Sequence, residues 1–180
     1  MRSLLKTLLA LAIAVVLMFL FRSLVFTLYS VNGDGLEPEF ITGDRVVVNR
    51  WSYGLRTGGG ALFDYGRICR QPIMRGDIVA YEDPSDSTSA RVLIGRVVAL
   101  PNDTIRFHGR SLIVPGKVNC ASVDFYWIRS INELTPFDSR LLGFINEQRI
   151  IGRVFAVVYS HDDDEPLWTG YRKDRWMLKK

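Results

Sequence analysis

Few residues of this chain combine the right type and spacing for chemistry. Asp34, Glu37 and Glu39 bring three carboxylates close to one turn. Acid hydrolysis needs two carboxylates sharing a site and a water, which closeness along the chain does not by itself create. Ser30 and Ser139 offer hydroxyls, but a hydroxyl becomes a nucleophile only beside a base. No lysine occurs between Lys6 and Lys117, and the two histidines, His108 and His161, stand far apart. The run His161-Asp162-Asp163-Asp164-Glu165 has oxygen ligands in number but not the spacing of a calcium loop, and reads as a solvated turn. Cys69 and Cys120 share no metal-ligand spacing with any neighbour, so neither a metal nor a cofactor is expected. In an oxidising compartment these two thiols face a choice between a disulfide and ordinary packing, and the pairing stays open at this level.

The elements that would position such groups are short. After residue 30 the apolar residues cluster in β-branched runs: Arg45-Val46-Val47-Val48, Asp77 to Tyr81, Arg91 to Leu100, Ser111 to Val114, and Ile150 to Tyr159. Gly43-Asp44, Gly76-Asp77, Pro84 to Ser87, Pro101-Asn102-Asp103, His108-Gly109-Arg110 and Pro115-Gly116 punctuate them as turns. The glycine-rich stretch from Thr57 towards Pro72 is expected to be a loop, and Glu82 to Ala90 a second, solvated one. The fold class is therefore mainly β, an antiparallel domain over 30–165. With 180 residues and 48% hydrophobic composition, one packed domain is the natural size.

Ahead of that domain lies an uncharged apolar run, Leu8 to Phe21, which extends from Leu4 to Phe26 if Lys6 and Arg22 reach the two interfaces. A cleaved export signal would also start with Arg2, Lys6 and an apolar stretch. The bulky Arg22 to Tyr29 segment lacks an A-x-A-like cleavage site, which favours a retained transmembrane anchor within 1–29. Arg2 and Lys6 place the N-terminus inside, so the chain is expected to be single-pass in the cytoplasmic membrane with its β domain outside. The tail 166–180 is basic and aromatic, and either lies on the bilayer or is a frayed polar terminus with one Trp packed on the domain. The net charge of +4 comes from bases scattered among acids, which argues against nucleic acid as a partner.

Five segments then line up in order: Val31-Asn32-Gly33-Asp34-Gly35-Leu36-Glu37-Pro38; Gly43-Asp44-Arg45-Val46-Val47-Val48-Asn49 running on to Tyr53-Gly54; Arg75-Gly76-Asp77-Ile78-Val79; Gly95-Arg96-Val97-Val98-Ala99-Leu100-Pro101-Asn102-Asp103; and Asp138-Ser139-Arg140. This series resembles the type I signal peptidase family, membrane-anchored serine endopeptidases that remove signal peptides. The resemblance implies a signal-peptidase-like antiparallel β domain on an N-terminal transmembrane helix. It also implies a serine nucleophile, a buried neutral lysine as base, and a hydroxyl two residues before the serine for the oxyanion.

At the three matching positions this chain has Gly35, Gly95 and Gly33. Glycine can neither attack nor accept a proton, so no catalytic residue is assigned. Ser130 to Glu133 also departs from the family's Gly-Asp-Asn-Arg, and Pro136 replaces a usual serine. The resemblance further implies a shallow apolar groove in which an extended peptide adds as a strand, with Val31, Asn32, Leu36, Phe40, Val46 and Ile94 at the matching positions. Core packing accounts equally well for Phe40 and Val46. The expectation is a non-catalytic relative that meets the lipid bilayer and binds signal peptides or an active signal peptidase. A structural membrane subunit ranks second, and a protease with rewired or partner-supplied residues third.

Overall fold

The computed structural model describes residues 2–32, 36–58, 64–85, 91–132, 137–162, 165–166, 169–175 and 177–178. The N-terminal segment forms one helix, α1 (Arg2–Val25), whose sequence contains neither Gly nor Pro and is dominated by Leu and Ala. Leu8, Leu11, Val15, Met18 and Phe19 are all exposed, so between residues 6 and 19 the helix buries no stripe against the domain. Counted over the described residues alone, no helix is long and apolar enough to cross a membrane.

The helix gives way directly to β1 (Phe26–Ser30), part of which the sequence reading placed inside the anchor. Its side chains alternate between exposed and half-buried, the signature of a strand with one face covered. It pairs antiparallel with β2 (Asp44–Asn49), from Phe26 opposite Asn49 to Ser30 opposite Arg45. The expected loop after Thr57 is in part a hairpin, β3 (Leu55–Thr57) with β4 (Gly66–Ile68); its residues 59–63 lie outside the described residues. Then follow β5 (Ile78–Glu82), β6 (Val92–Ala99), a second hairpin of β7 (Thr104–Phe107) with β8 (Arg110–Ile113), β9 (Phe125–Arg129), a short helix α2 (Ser139–Leu142), β10 (Ile145–Asn146), β11 (Ile150–Ser160) and β12 (Met177–Leu178).

The main sheet runs β1-β2-β11-β5-β6-β9-β10, with β12 added to β11. The fold is mainly β, a curled antiparallel sheet. Strand β5 shows how the sheet divides its cores. Ile78 and Ala80 pack with Val31, Phe40, Val46, Val48 and Val154, whereas Val79 and Tyr81 pack with Tyr53, Val97, Ile128, Ile145 and Ile150. Alternate side chains of one strand thus serve opposite faces. A third cluster sets Trp127 edge-on between Phe107 and Phe144, each at 5.4 Å, and seats the β7–β8 hairpin. The tail is tied to the domain rather than frayed: β12 pairs with Ala156 and Val157 of β11.

Candidate functional site

Four of the five sequence boxes converge on turns that hold the sheet. Val31 donates its amide to the Asp44 carbonyl at 2.8 Å, and Gly43 returns a bond to the Val31 carbonyl at 3.1 Å. The wholly buried Asp44 carboxylate accepts from the Ile41 amide at 3.0 Å and from Arg175 at 2.9 Å. In the next box Gly76 adopts φ +92°, a conformation glycine reaches without strain, and its amide donates to the Val97 carbonyl at 2.8 Å. Asp77 accepts from the Met74 amide at 3.0 Å and from the Tyr53 hydroxyl at 2.8 Å. Burial raises the Tyr53 pKa, and the neighbouring Asp77 carboxylate and its hydrogen bond raise it further, so this phenol stays a donor. Arg75 reaches across to Asp103 at 2.7 Å, joining the third box to the turn that ends the fourth.

The last box builds an N-cap. Asp138 precedes α2 and accepts from the Arg140 amide and the Ser130 amide, each at 2.8 Å, while the Arg140 guanidinium also bonds its carboxylate. Burial works against the Asp138 anion, but the bonds from Arg140 and Ser130 outweigh it, and its pKa is lowered. Ser139 is buried, and its hydroxyl accepts from the Ile128 amide at 2.9 Å, so it fastens α2 to β9.

Of the expected groove residues, Val31, Leu36, Phe40 and Val46 are packed together in the first core, and Phe40 and Val46 are fully buried. Ile94 is half-buried against the same cluster, and Asn32 is exposed. The structure therefore brings five of the six together in one apolar cluster. Gly33 and Gly35 lie outside the described residues, as do Asp34 and 133–136. Glu39, read as a stray acid near the turn, is ion-paired with Arg96.

Gly95, which the resemblance matches to the base position, lies among the described residues. It is buried in β6 opposite Val79 of β5. Its neighbour Ile94 packs on the first core, whereas Val79 and Val97 belong to the second. Strand alternation therefore directs position 95 away from Val31, Leu36 and Phe40. A Cβ at position 95 would stand 2.7 Å from Ile128 Cγ2 and 2.8 Å from the Arg129 carbonyl oxygen. Strand β9 fills the space in which a base would have to start.

The chain matches the family described as signal peptidase, peptidase S26, over residues 4–124. It belongs to that family. Signal peptidase I V of Bacillus subtilis (strain 168) is 29% identical over 170 residues, covering 78% of this chain and 90% of that protein. Signal peptidase IB of Staphylococcus aureus (strain Mu50 / ATCC 700699) is 22% identical over 187 residues, covering 85% and 88%. The region matched to the signal peptidase family takes in four of the boxes and the apolar helix, while Asp138-Ser139-Arg140 lies beyond it.

Two polar groups with structural weight were not singled out from the sequence. Arg67, at 1% side-chain exposure, bonds the carbonyls of Gly54 and Glu147 and the Tyr65 hydroxyl, and lies 3.7 Å from the Glu147 carboxylate. Arg70 bridges Glu147 at 2.7 Å and Asp124 at 2.8 Å. Both arginines sit in the stretch read as a loop, and nothing in local patterning marks them, because their partners are about 80 and 50 residues away along the chain. Cys69 and Cys120 are both exposed free thiols.

Proposed function

We propose that this chain is a membrane-anchored, non-catalytic relative of the signal peptidases that binds signal peptides, or an active signal peptidase, without cutting. The observation that carries the reading is the crowding at Gly95. The residue type supplies no base, and the packing of Ile128 and Arg129 leaves no room for one. Gly35 at the nucleophile position and Gly33 at the oxyanion position remove the other side chains the reaction requires.

Binding needs less than catalysis. Strand β1 ends the main sheet, and the edge away from β2 is the place where an extended peptide would add. The exposed apolar side chains of α1 from Leu8 to Phe19 support a role as the anchor, with Arg2 and Lys6 inside and the β domain outside. A structural membrane subunit is the second reading, favoured by one specific observation: Phe40 is fully buried among Val31, Leu36 and Val46, where the relatives' resemblance implied a groove.

A fluorescent signal peptide titrated into the detergent-solubilised chain separates the two. Saturable binding, displaced by unlabelled peptide and weakened by a proline in the peptide's pairing segment, supports the binding reading. Absence of binding at concentrations where an active signal peptidase binds selects the structural one.

A further inference from the structure

Strand β11 carries its pairing partners unevenly. One edge runs along β2 from Arg153 to Ser160. The other is shared: β5 takes Ile150 to Arg153, and farther along, among the described residues, only β12 is present, with Leu178 opposite Ala156 and Met177 opposite Val157. That second stretch of β11 is an edge that the chain covers with its own tail.

Two arginines hold the tail in place. Arg172 bonds the Asp162 carboxylate at 2.7 Å and the Thr42 carbonyl at 3.1 Å, and its amide donates to the Ser160 carbonyl at 3.1 Å. Arg175 donates to the Glu39 carbonyl at 3.1 Å and to Asp44 at 2.9 Å. Tyr171 packs edge-on against Tyr159 and His161, at 5.2 and 5.6 Å. Beneath these contacts the polar accounting is incomplete: Thr42 Oγ1, Asp44 Oδ1, Ser160 Oγ and Arg175 Nε are buried with no hydrogen-bond partner among the described residues. The strand itself adds two residues of pairing, Met177 and Leu178, so the ladder that the tail contributes to β11 is short.

We propose that the part of the tail that carries Tyr171, Arg172, Arg175 and β12 is an exchangeable strand. It docks in cis on a strand-addition edge of β11, and when it lifts, that edge accepts an extended peptide of the same pattern, with an arginine placed to reach Asp44 and the Glu39 carbonyl. The tethered tail competes at high effective concentration, so outside peptides enter only when its hold is weakened. Release also removes the Arg175 hold on the Glu39 carbonyl, leaving Arg96 on its side chain as the remaining described tie. The inference does not rest on the loss of cleavage and holds whether or not the chain cuts.

The test uses the full-length chain in detergent and a labelled peptide of residues 170–180. The Arg175→Ala chain is expected to bind this peptide at least about tenfold more tightly than the unaltered chain. The same peptide carrying Arg175→Ala should bind the variant chain about tenfold more weakly. Equal affinity of both chains for the peptide, or of both peptides for the variant, overturns the proposal. Hydrogen exchange on the unaltered chain guards against a folding defect in the variant: amides of 156–157 and 177–178 should exchange together and well before those of β5 and β6. Exchange of these amides only with the whole sheet overturns the proposal. A dimer whose population rises with concentration and disappears in a chain lacking 171–180 would place the tail on a second copy and overturn docking in cis.

Discussion

Gly95→Ala is the smallest change that probes the closed base position. The new methyl would meet Ile128 Cγ2 at 2.7 Å and the Arg129 carbonyl oxygen at 2.8 Å, distances that real Cβ atoms do not sustain. Ile128 is fully buried in the second core and Arg129 O is main chain, so neither neighbour is a flexible tip that can swing aside. Overpacking of this kind costs about 1–3 kcal/mol. Replacing a strand glycine by alanine returns about 0.5–1 kcal/mol of backbone entropy. Two simultaneous contacts below 3.0 Å place the change in the upper part of that range, about 2–3 kcal/mol, so the net expectation is a loss of about 1–2.5 kcal/mol, or a melting point lower by roughly 2–10 °C for a chain of this size. Urea and thermal unfolding of the detergent-solubilised chain, followed by tryptophan fluorescence, measure it. Ile128→Ala on its own should cost about 2–5 kcal/mol, and on that background Gly95→Ala should cost less, because one of its two clashes is gone. A Gly95→Ala chain as stable as the original, or more so, would refute the argument that β9 closes this position. By the same geometry Gly95→Lys with Gly35→Ser should not restore cleavage, since the lysine would start in this clash and head into the core of Val79, Val97 and Ile128.

Further predictions concern the groups that hold the scaffold. Arg67→Met leaves the buried Glu147 carboxylate without that guanidinium, though Arg70 still touches it, and should destabilise the chain by about 3 kcal/mol in urea unfolding. Because the Asp138 pKa is lowered in the folded chain, its contribution is present above the unfolded value and is lost as pH falls through the folded one. Asp138→Asn should therefore lower stability at neutral pH and flatten the acid limb of the stability profile below about pH 4.

The strands β2, β5 and β6 were legible because each combines a β-branched run with a Gly-Asp or Pro-Asn turn at its border, and β11 because its apolar run from Ile150 to Tyr159 is long. Strand β1 was not, since Phe26-Thr27-Leu28 continues the apolar run of the helix and only the pairing with β2 separates the two. Strand β9, Phe125 to Arg129, lacks the period-two alternation because three of its residues are buried in succession between neighbours. The order of the boxes matched positions 33, 35 and 95, by resemblance, to the oxyanion hydroxyl, the serine and the lysine, and each is glycine here. It did not show that position 95 is crowded. That follows from the register in which β9 meets β6, with Val97 opposite Ile128, and such a contact between distant segments leaves no local trace. The tail illustrates the same limit: Arg175 finds Asp44 across 131 residues, and a basic terminus reads alike whether it is free, on lipid or docked.

Cleavage of a secretory precursor by the purified chain tests the central claim most directly. A radiolabelled precursor is incubated with the detergent-solubilised protein, beside an active signal peptidase and beside a mock preparation from the same host lacking the chain. The account predicts precursor of unchanged length with this protein and mature product with the active enzyme. Mature product that appears with this protein, scales with its amount and is absent from the mock preparation would contradict it.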